Sequence, residues 1–303
     1  MKIFSRFTNH SEEFKKGVFF MLISSMLLSL FSLFGKFAVE DSPFFLLVFL
    51  RFLIPLILML PYFLWSSSIK ELFYTRNLKL QLLRCLCILV YQYSIFYYLM
   101  HSTLLNATVL QNTFPLFLPI LEKVFFKHRF NKREILSMLI CFSGVLCILQ
   151  PGRGVLEGLS IVVILAPLSQ AGSQVLFAHQ ARNENPKSTL FYLYFLTSVG
   201  TAIIYLCASK WMNAKISFPD YTALIWANVI ALGVVSIFNQ YFRGKAYEHC
   251  KPSTLTPFLY FSLIFSAFLD FIIFHRLPNW ISVLGAFLVI IGGLTQVYKK
   301  KVA

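Results

Sequence analysis

Charge is what this sequence has least of. Of its 303 residues only 13% are Asp, Glu, Lys or Arg, about half the share of an average soluble domain. A soluble fold of this length needs far more polar surface, so that class is excluded. Acidic residues number 12, and none falls near the middle of an apolar run; Glu40, Asp41, Glu122, Glu134, Glu157, Glu248 and Asp270 all sit near run ends. No GxxxxGK[ST] loop is present, which excludes ATP hydrolysis by that route. The histidines form no HExxH and no i,i+4 pair, which argues against an intramembrane metalloenzyme. The cysteines, 85, 87, 141, 147, 207 and 250, contain no CxxC and read as small apolar packers. No metal or cofactor is expected. Glycine is also scarce, at 13 residues, although close helix crossings in lipid favour small side chains.

What fills the chain is apolar. It is 58% hydrophobic and 17% aromatic, with a mean hydropathy of +0.72. Apolar runs of roughly 20 residues match the hydrocarbon thickness of a bilayer. They recur at 17–39, 43–65, 80–100, 104–126, 134–150, 156–179, 188–208, 222–243, 252–274 and 279–298. Each is expected to be helical despite much Val, Ile, Phe and Tyr, because in lipid the backbone must satisfy its own hydrogen bonds. The first run is too long for a signal-peptide core and has no small-x-small cleavage site before Glu40-Asp41. It reads as a retained helix.

The net charge of +15 is a matter of sidedness. Twenty of the 27 Lys and Arg lie on one set of alternating segments. These hold Lys2 to Lys16, Lys70 to Lys79, Lys123 to Arg133, Arg182 and Lys187, Arg243 to Lys251, and Lys299 to Lys301. The other set has only Arg153, Lys210, Lys215 and Arg276. That is the positive-inside bias. It predicts an even number of spans, both termini in the cytoplasm, and basic loops against anionic membrane lipid rather than nucleic acid. The expected location is the inner or plasma membrane.

Residues 101–130 align without a gap with 248–277, and both stretches end in a His-Arg pair. With five spans per half the two pairs fall on opposite faces, as in inverted repeats. The expected fold is an all-α integral membrane protein with ten transmembrane helices in two inverted-topology five-helix repeats, 1–150 and 151–303.

Three stretches carry a family resemblance. LFSLFGKFAVEDSPFFLLVFLRF (30–52) holds Lys36, Ser42-Pro43 and Arg51-Phe52. It resembles the first two helices of the EamA-type branch of the drug/metabolite transporter superfamily. YYLMHSTLLNATVLQNTFPLF (97–117) resembles that family's helix 3–4 corner. KAYEHCKPSTLTPFLYFSLIF (245–265) resembles a subgroup pattern through Ala246, Tyr247, Ser253, Pro257, Phe258, Tyr260 and Leu263. Lys127-His128 and Phe274-His275 depart from the Gly-Glu usual there. The resemblance implies ten helices, cytoplasmic termini and secondary transport of a metabolite such as an amino acid, S-adenosylmethionine or a vitamin.

Polar groups at bilayer depth point to a site. The candidates for substrate binding are Lys36, Arg51, Tyr91, Gln92, Gln111, Asn112, Gln170, Ser173, Gln174, Asn239 and Tyr260. Gln170, Ser173 and Gln174 share one helix face, and Asn112 precedes Pro115, which frees backbone groups. Each candidate reads equally as a helix–helix hydrogen bond. Arg51 is about 12 Å into its span and is either a structural clamp to a helix end or to Glu40 or Asp41, or an attractor of a substrate carboxylate. Arg84, one turn from the inner surface, is expected to snorkel outward. Asp270 is the coupling candidate, with pairing to a nearby cation the preferred reading. The function expected is a secondary carrier, an exchanger or facilitator, for a small zwitterionic compound such as S-adenosylmethionine. A proton-coupled exporter of amino acids or drugs is the alternative. A membrane enzyme acting on lipid is the alternative of another class, and no nucleophile–base pair at helical spacing supports it.

Overall fold

The computed structural model describes residues 2–39, 44–66, 73–101, 108, 110–126, 132–150, 160–211, 223–275 and 279–298. The helices are α1 (Lys2–Val39), α2 (Phe44–Ser66), α3 (Leu78–His101), α4 (Phe114–Phe126), α5 (Lys132–Leu149) and α6 (Ser160–Asn183). Then follow α7 (Pro186–Trp211), α8 (Ala223–His249), α9 (Pro252–Leu259), α10 (Phe261–Phe274) and α11 (Trp280–Tyr298). The described residues contain no strand. Length therefore overrides the β-propensity of the aromatic and β-branched runs, as the lipid argument requires. Six of the described stretches are long and apolar enough to cross a membrane. Large side chains such as Phe19, Leu86, Val124, Leu224 and Phe287 stand exposed on the bundle surface, where lipid takes the place of water.

The helices meet in a pattern that repeats when each span is moved on by five. The pair α1–α8 is matched by α3–α6, α1–α9 by α4–α6, and α2–α8 by α3–α7. The pairs α2–α7 and α5–α11 map onto themselves. This is a two-repeat membrane fold with the halves intertwined.

The crossing of α5 and α11 is the tightest joint. A Cβ added to Gly285 would lie 2.6 Å from the Gly144 carbonyl oxygen, and one on Gly144 would lie 2.6 Å from that of Gly285. Only glycine permits that approach, so the few glycines are spent where backbones touch.

Two spans are broken at the same place in the repeat. The fourth turns at Asn112 and Thr113 and resumes at Phe114; the ninth turns at Tyr260 and resumes at Phe261. Thr113 aligns with Tyr260 in the repeat described above. Pro115 causes the first break, since its ring collides with the carbonyl four residues earlier. At the second break, the Ser25 hydroxyl of α1 donates to the Phe258 carbonyl at 2.7 Å. Interrupted helices in corresponding positions of two repeats mark the region where such folds bind solutes.

One end of the bundle is called the base here. There α1, α3, α5, α7 and α9 begin and α2, α4, α6, α8 and α11 end. α8 continues to His249, six residues beyond the predicted span. Arg243 therefore lies inside a helix, and it is 5% exposed. This corrects its placement among the surface charges.

Candidate substrate site

A column of arginines, tyrosines and amides runs between α1, α2, α3, α6, α7 and α8. Arg84 is six residues past the start of α3 and Arg243 six residues before the end of α8, each about 9 Å from the base at 1.5 Å per residue. Both are buried, at 3% and 5% exposure. Arg84 Nη1 donates to Gln180 Oε1 of α6 at 3.0 Å, and its guanidinium lies 3.8 Å from the centre of the Phe177 ring. Arg243 Nε donates to Ser24 Oγ of α1 at 3.2 Å. The Phe177 ring under Arg84 also meets Tyr247, one turn from Arg243, which brings the two cations to one region. Tyr247, one turn beyond Arg243, donates from its hydroxyl to Gln174 Oε1 at 3.0 Å and meets Phe177 edge-on.

A second tier stands about 12 Å higher by helical rise. Arg51 Nη1 donates to Gln92 Oε1 at 3.3 Å, and the Phe31 ring centre is 4.5 Å from its guanidinium carbon. Tyr194 joins the tiers. It is within electrostatic reach of Arg51 and of Arg84, and its hydroxyl bonds Ser236 Oγ at 3.0 Å. Tyr91 likewise lies within reach of Arg51 and Arg243.

Of the residues singled out in the sequence, Arg51, Tyr91, Gln92 and Gln174 belong to this column. Gln170 and Ser173 sit on the same helix, where Ser173 Oγ donates to the Gln170 carbonyl at 2.8 Å. Asn239 Nδ2 donates to the Ser24 carbonyl at 2.6 Å, a bond between α8 and α1. Gln111 and Asn112 are half-buried at the break in the fourth span, and Asn112 Nδ2 bonds back to the Thr108 carbonyl at 2.8 Å. Tyr260 stands apart: its buried ring packs with Cys141, Val145 and Val289 against α5 and α11. The Lys36 side chain, Glu40 and Asp41 lie outside the described residues. Arg51 thus has amide and ring partners in the described structure. Asp270 is half-buried and makes no ion pair among the described residues.

Arg84 does not snorkel. The reason is geometric: its guanidinium reaches α6, where an amide and an aromatic face receive it. Gln180, Tyr194, Arg243 and Tyr247 were also missed from sequence. One signal was available. Asn239, Arg243 and Tyr247 are spaced by four, which puts all three on one helix face. Counting Arg243 as a topology marker hid that face.

The carboxylates gather at the base instead. Glu122 of α4 accepts from the Ser253 amide at 2.9 Å and its hydroxyl at 2.7 Å. Glu134 of α5 accepts from Thr254 at 2.9 Å. Glu184 accepts from Thr75 at 2.6 Å and Gln81 at 2.9 Å. Glu13 of α1 is hydrogen-bonded by His249 Nδ1 of α8. Each of these bonds joins one repeat to the other. At the opposite end Gln150 bonds Asn279 at 2.8 Å and Ser282 at 3.2 Å. A separate cavity of about 380 Å³ between α5, α10 and α11 is lined by Ile264, Phe268, Phe271 and Phe287. It is an apolar slot on the flank of the bundle, away from the column.

A multi-pass helical bundle with paired broken spans and a buried polar column is the architecture of a membrane transport protein. The chain belongs to the EamA-like transporter family, which it matches over residues 15–150 and again over 159–295; it is a transporter and not an enzyme. It is 24% identical over 286 residues to the S-adenosylmethionine uptake transporter of Rickettsia prowazekii, covering 94% of this chain and 93% of that one. It is 23% identical over 288 residues to the pseudopaline exporter of Pseudomonas aeruginosa, covering 95% and 98%. A riboflavin transporter of Brucella anthropi is 27% identical over 183 residues, 60% of this chain and 63% of that relative. A solved crystal structure superimposes with a TM-score of 0.79 over 94% of this chain at 15% identity, a likeness of fold.

Proposed function

We propose that this protein is a secondary carrier that moves a small metabolite by alternating access. The rocking bodies are the halves 1–150 and 151–303, and the base is the cytoplasmic side. The observation that carries this reading is the distribution of bonds between halves. Four carboxylates bridge the halves at the base, whereas the Gln150 cluster bridges them at the other end. Their partners are hydroxyls, amides and a histidine, so each bond can be exchanged for water at modest net cost. The finer reading, an exchanger or facilitator of S-adenosylmethionine or a related zwitterion, is supported by the Rickettsia relative.

Counterflow in proteoliposomes tests it. Radiolabelled S-adenosylmethionine should enter vesicles preloaded with the unlabelled compound and survive collapse of the proton gradient. Counterflow that vanishes with the gradient favours the proton-coupled alternative, with Asp270 as the proton site. Single cysteines at Lys2, Asn131, Lys215 and Ala303, without the native ones, test sidedness. Only position 215 should react with an impermeant reagent from outside.

A further inference from the structure

Three guanidiniums enter the column, and no carboxylate among the described residues is paired with them. The described acids that make contacts make them at the base, and none is paired with Arg51, Arg84 or Arg243. The cations are held by neutral groups, namely Gln92, Gln180 and Ser24, and by the faces of Phe31 and Phe177. Stacking on a ring uses the guanidinium face and leaves its in-plane N–H donors for other acceptors. Those donors are incompletely used. Arg84 Nε and Arg243 Nη2 are buried without a hydrogen-bond partner, and so is Gln180 Nε2 beside Arg84.

A buried charge without a counter-ion is costly, and two like charges within reach of each other add to that cost. A guanidinium that keeps free N–H groups in a dry site is matched by a planar or tetrahedral oxyanion, through two parallel hydrogen bonds. Tyr247 and Gln174, bonded to each other, stand beside Arg84 across the Phe177 ring. Arg51, one tier above, offers a second cation on the same axis.

From this geometry we infer that Arg84 and Arg243 form an oxyanion-binding site and that the transported solute is a net anion bearing carboxylate or phosphate groups. This rests on the carrier reading and replaces its zwitterionic substrate with a net anion. A zwitterion's carboxylate fits the arginines, but its cationic centre meets three positive charges, and Glu122, a described carboxylate within electrostatic reach of Tyr247, is taken up by Ser253 at the base. The arginine pair at the base and Arg51 above it then act as successive holding points along the column.

The test uses the purified full-length protein and four probes at equal ionic strength: citrate, glucose 6-phosphate, S-adenosylmethionine and sodium chloride. Citrate or glucose 6-phosphate should raise the thermal midpoint in a saturable way. The apparent affinity should fall at least tenfold in Arg84→Gln and in Arg243→Gln, and less in Arg84→Lys, which keeps the charge and loses the fork. A response to citrate alone assigns a carboxylate, and one to the phosphate ester alone assigns a phosphate. Sodium chloride should do nothing; an equal shift with chloride overturns the inference. So does stabilisation by S-adenosylmethionine alone, an anion response unchanged in both variants, or no response to either anion. If a variant does not fold, competition by citrate against counterflow in the parent protein replaces it. Anion binding without counterflow would overturn the carrier reading and leave the site. Zwitterion counterflow insensitive to citrate and to both substitutions would leave the carrier and overturn the site.

Discussion

The pairs α1–α8 and α3–α6 occupy equivalent places in the two repeats, yet they are fastened differently. Between α1 and α8, Asn239 and Arg243 both fix on Ser24, and Asn239 has a full-strength bond to a main-chain carbonyl. Between α3 and α6, Arg84 and Gln180 meet by one bond, and each keeps a buried nitrogen without a described partner, as Arg243 does with its Nη2. An inverted repeat would place equivalent arginines at opposite ends of these helices. Instead both stand near the base. The scaffold is symmetric and the charge is not. Backbone packing repeats because the same helix-crossing solutions suit both halves. A site that must hold one solute in one orientation has no use for that symmetry.

That contrast can be tested, beginning with the joint both halves share. Gly285→Val puts a side chain against the Gly144 carbonyl and should cost about 3 kcal/mol, seen as a collapse in monodisperse yield and thermal midpoint. A variant of parental stability would mean that the crossing is looser than 2.6 Å allows.

Gln180→Leu should cost about 2 kcal/mol, since it takes the hydrogen-bond acceptor from the buried Arg84 guanidinium. Asn239→Leu should cost about 1 kcal/mol, because the Ser24 carbonyl lies inside α1 and keeps its bond within that helix. Thermal unfolding in detergent measures both. Equal losses would erase the difference between the pairs.

Thr75→Val removes one of two donors to Glu184 and should cost about 0.5 kcal/mol, with Gln81 still in place. Its sharper readout is access: the base should open more readily, so a cysteine at Ser188 should label faster than in the parent. Unchanged labelling would argue against the base bonds as a latch.

The smallest effect is expected at Asp270. With no ion pair among the described residues, Asp270→Asn should leave counterflow within about twofold, well under the tenfold that 1.4 kcal/mol represents. A loss beyond tenfold would move the proton-coupled alternative to the front.

Much of this was legible in the chain itself. The apolar runs gave the spans, because bilayer thickness and backbone hydrogen bonding leave few options. The gapless alignment of 101–130 with 248–277 pairs Thr113 with Tyr260, and the structure breaks both spans at those residues. The resemblance through Lys36, Arg51 and the 245–265 stretch led to the family that the chain matches in both halves. Arg51, Gln92 and Gln174 were singled out chiefly by depth, since a polar group far from either surface must be satisfied inside, and all three lie in the column.

Tertiary structure decided the rest. Sequence depth cannot say which way a side chain turns, and Tyr260 turns to α5 and α11 rather than to the column. It cannot separate an arginine that snorkels from one received by a neighbouring helix. Arg84 and Arg243 looked like surface charges because they lie near span ends. Only the packing of α6 and α1 against them brings Gln180, Phe177 and Ser24 within reach. Hydropathy and length act along one helix and are written in one segment. A binding site is made by several segments at once, and its charge balance exists only after they are packed.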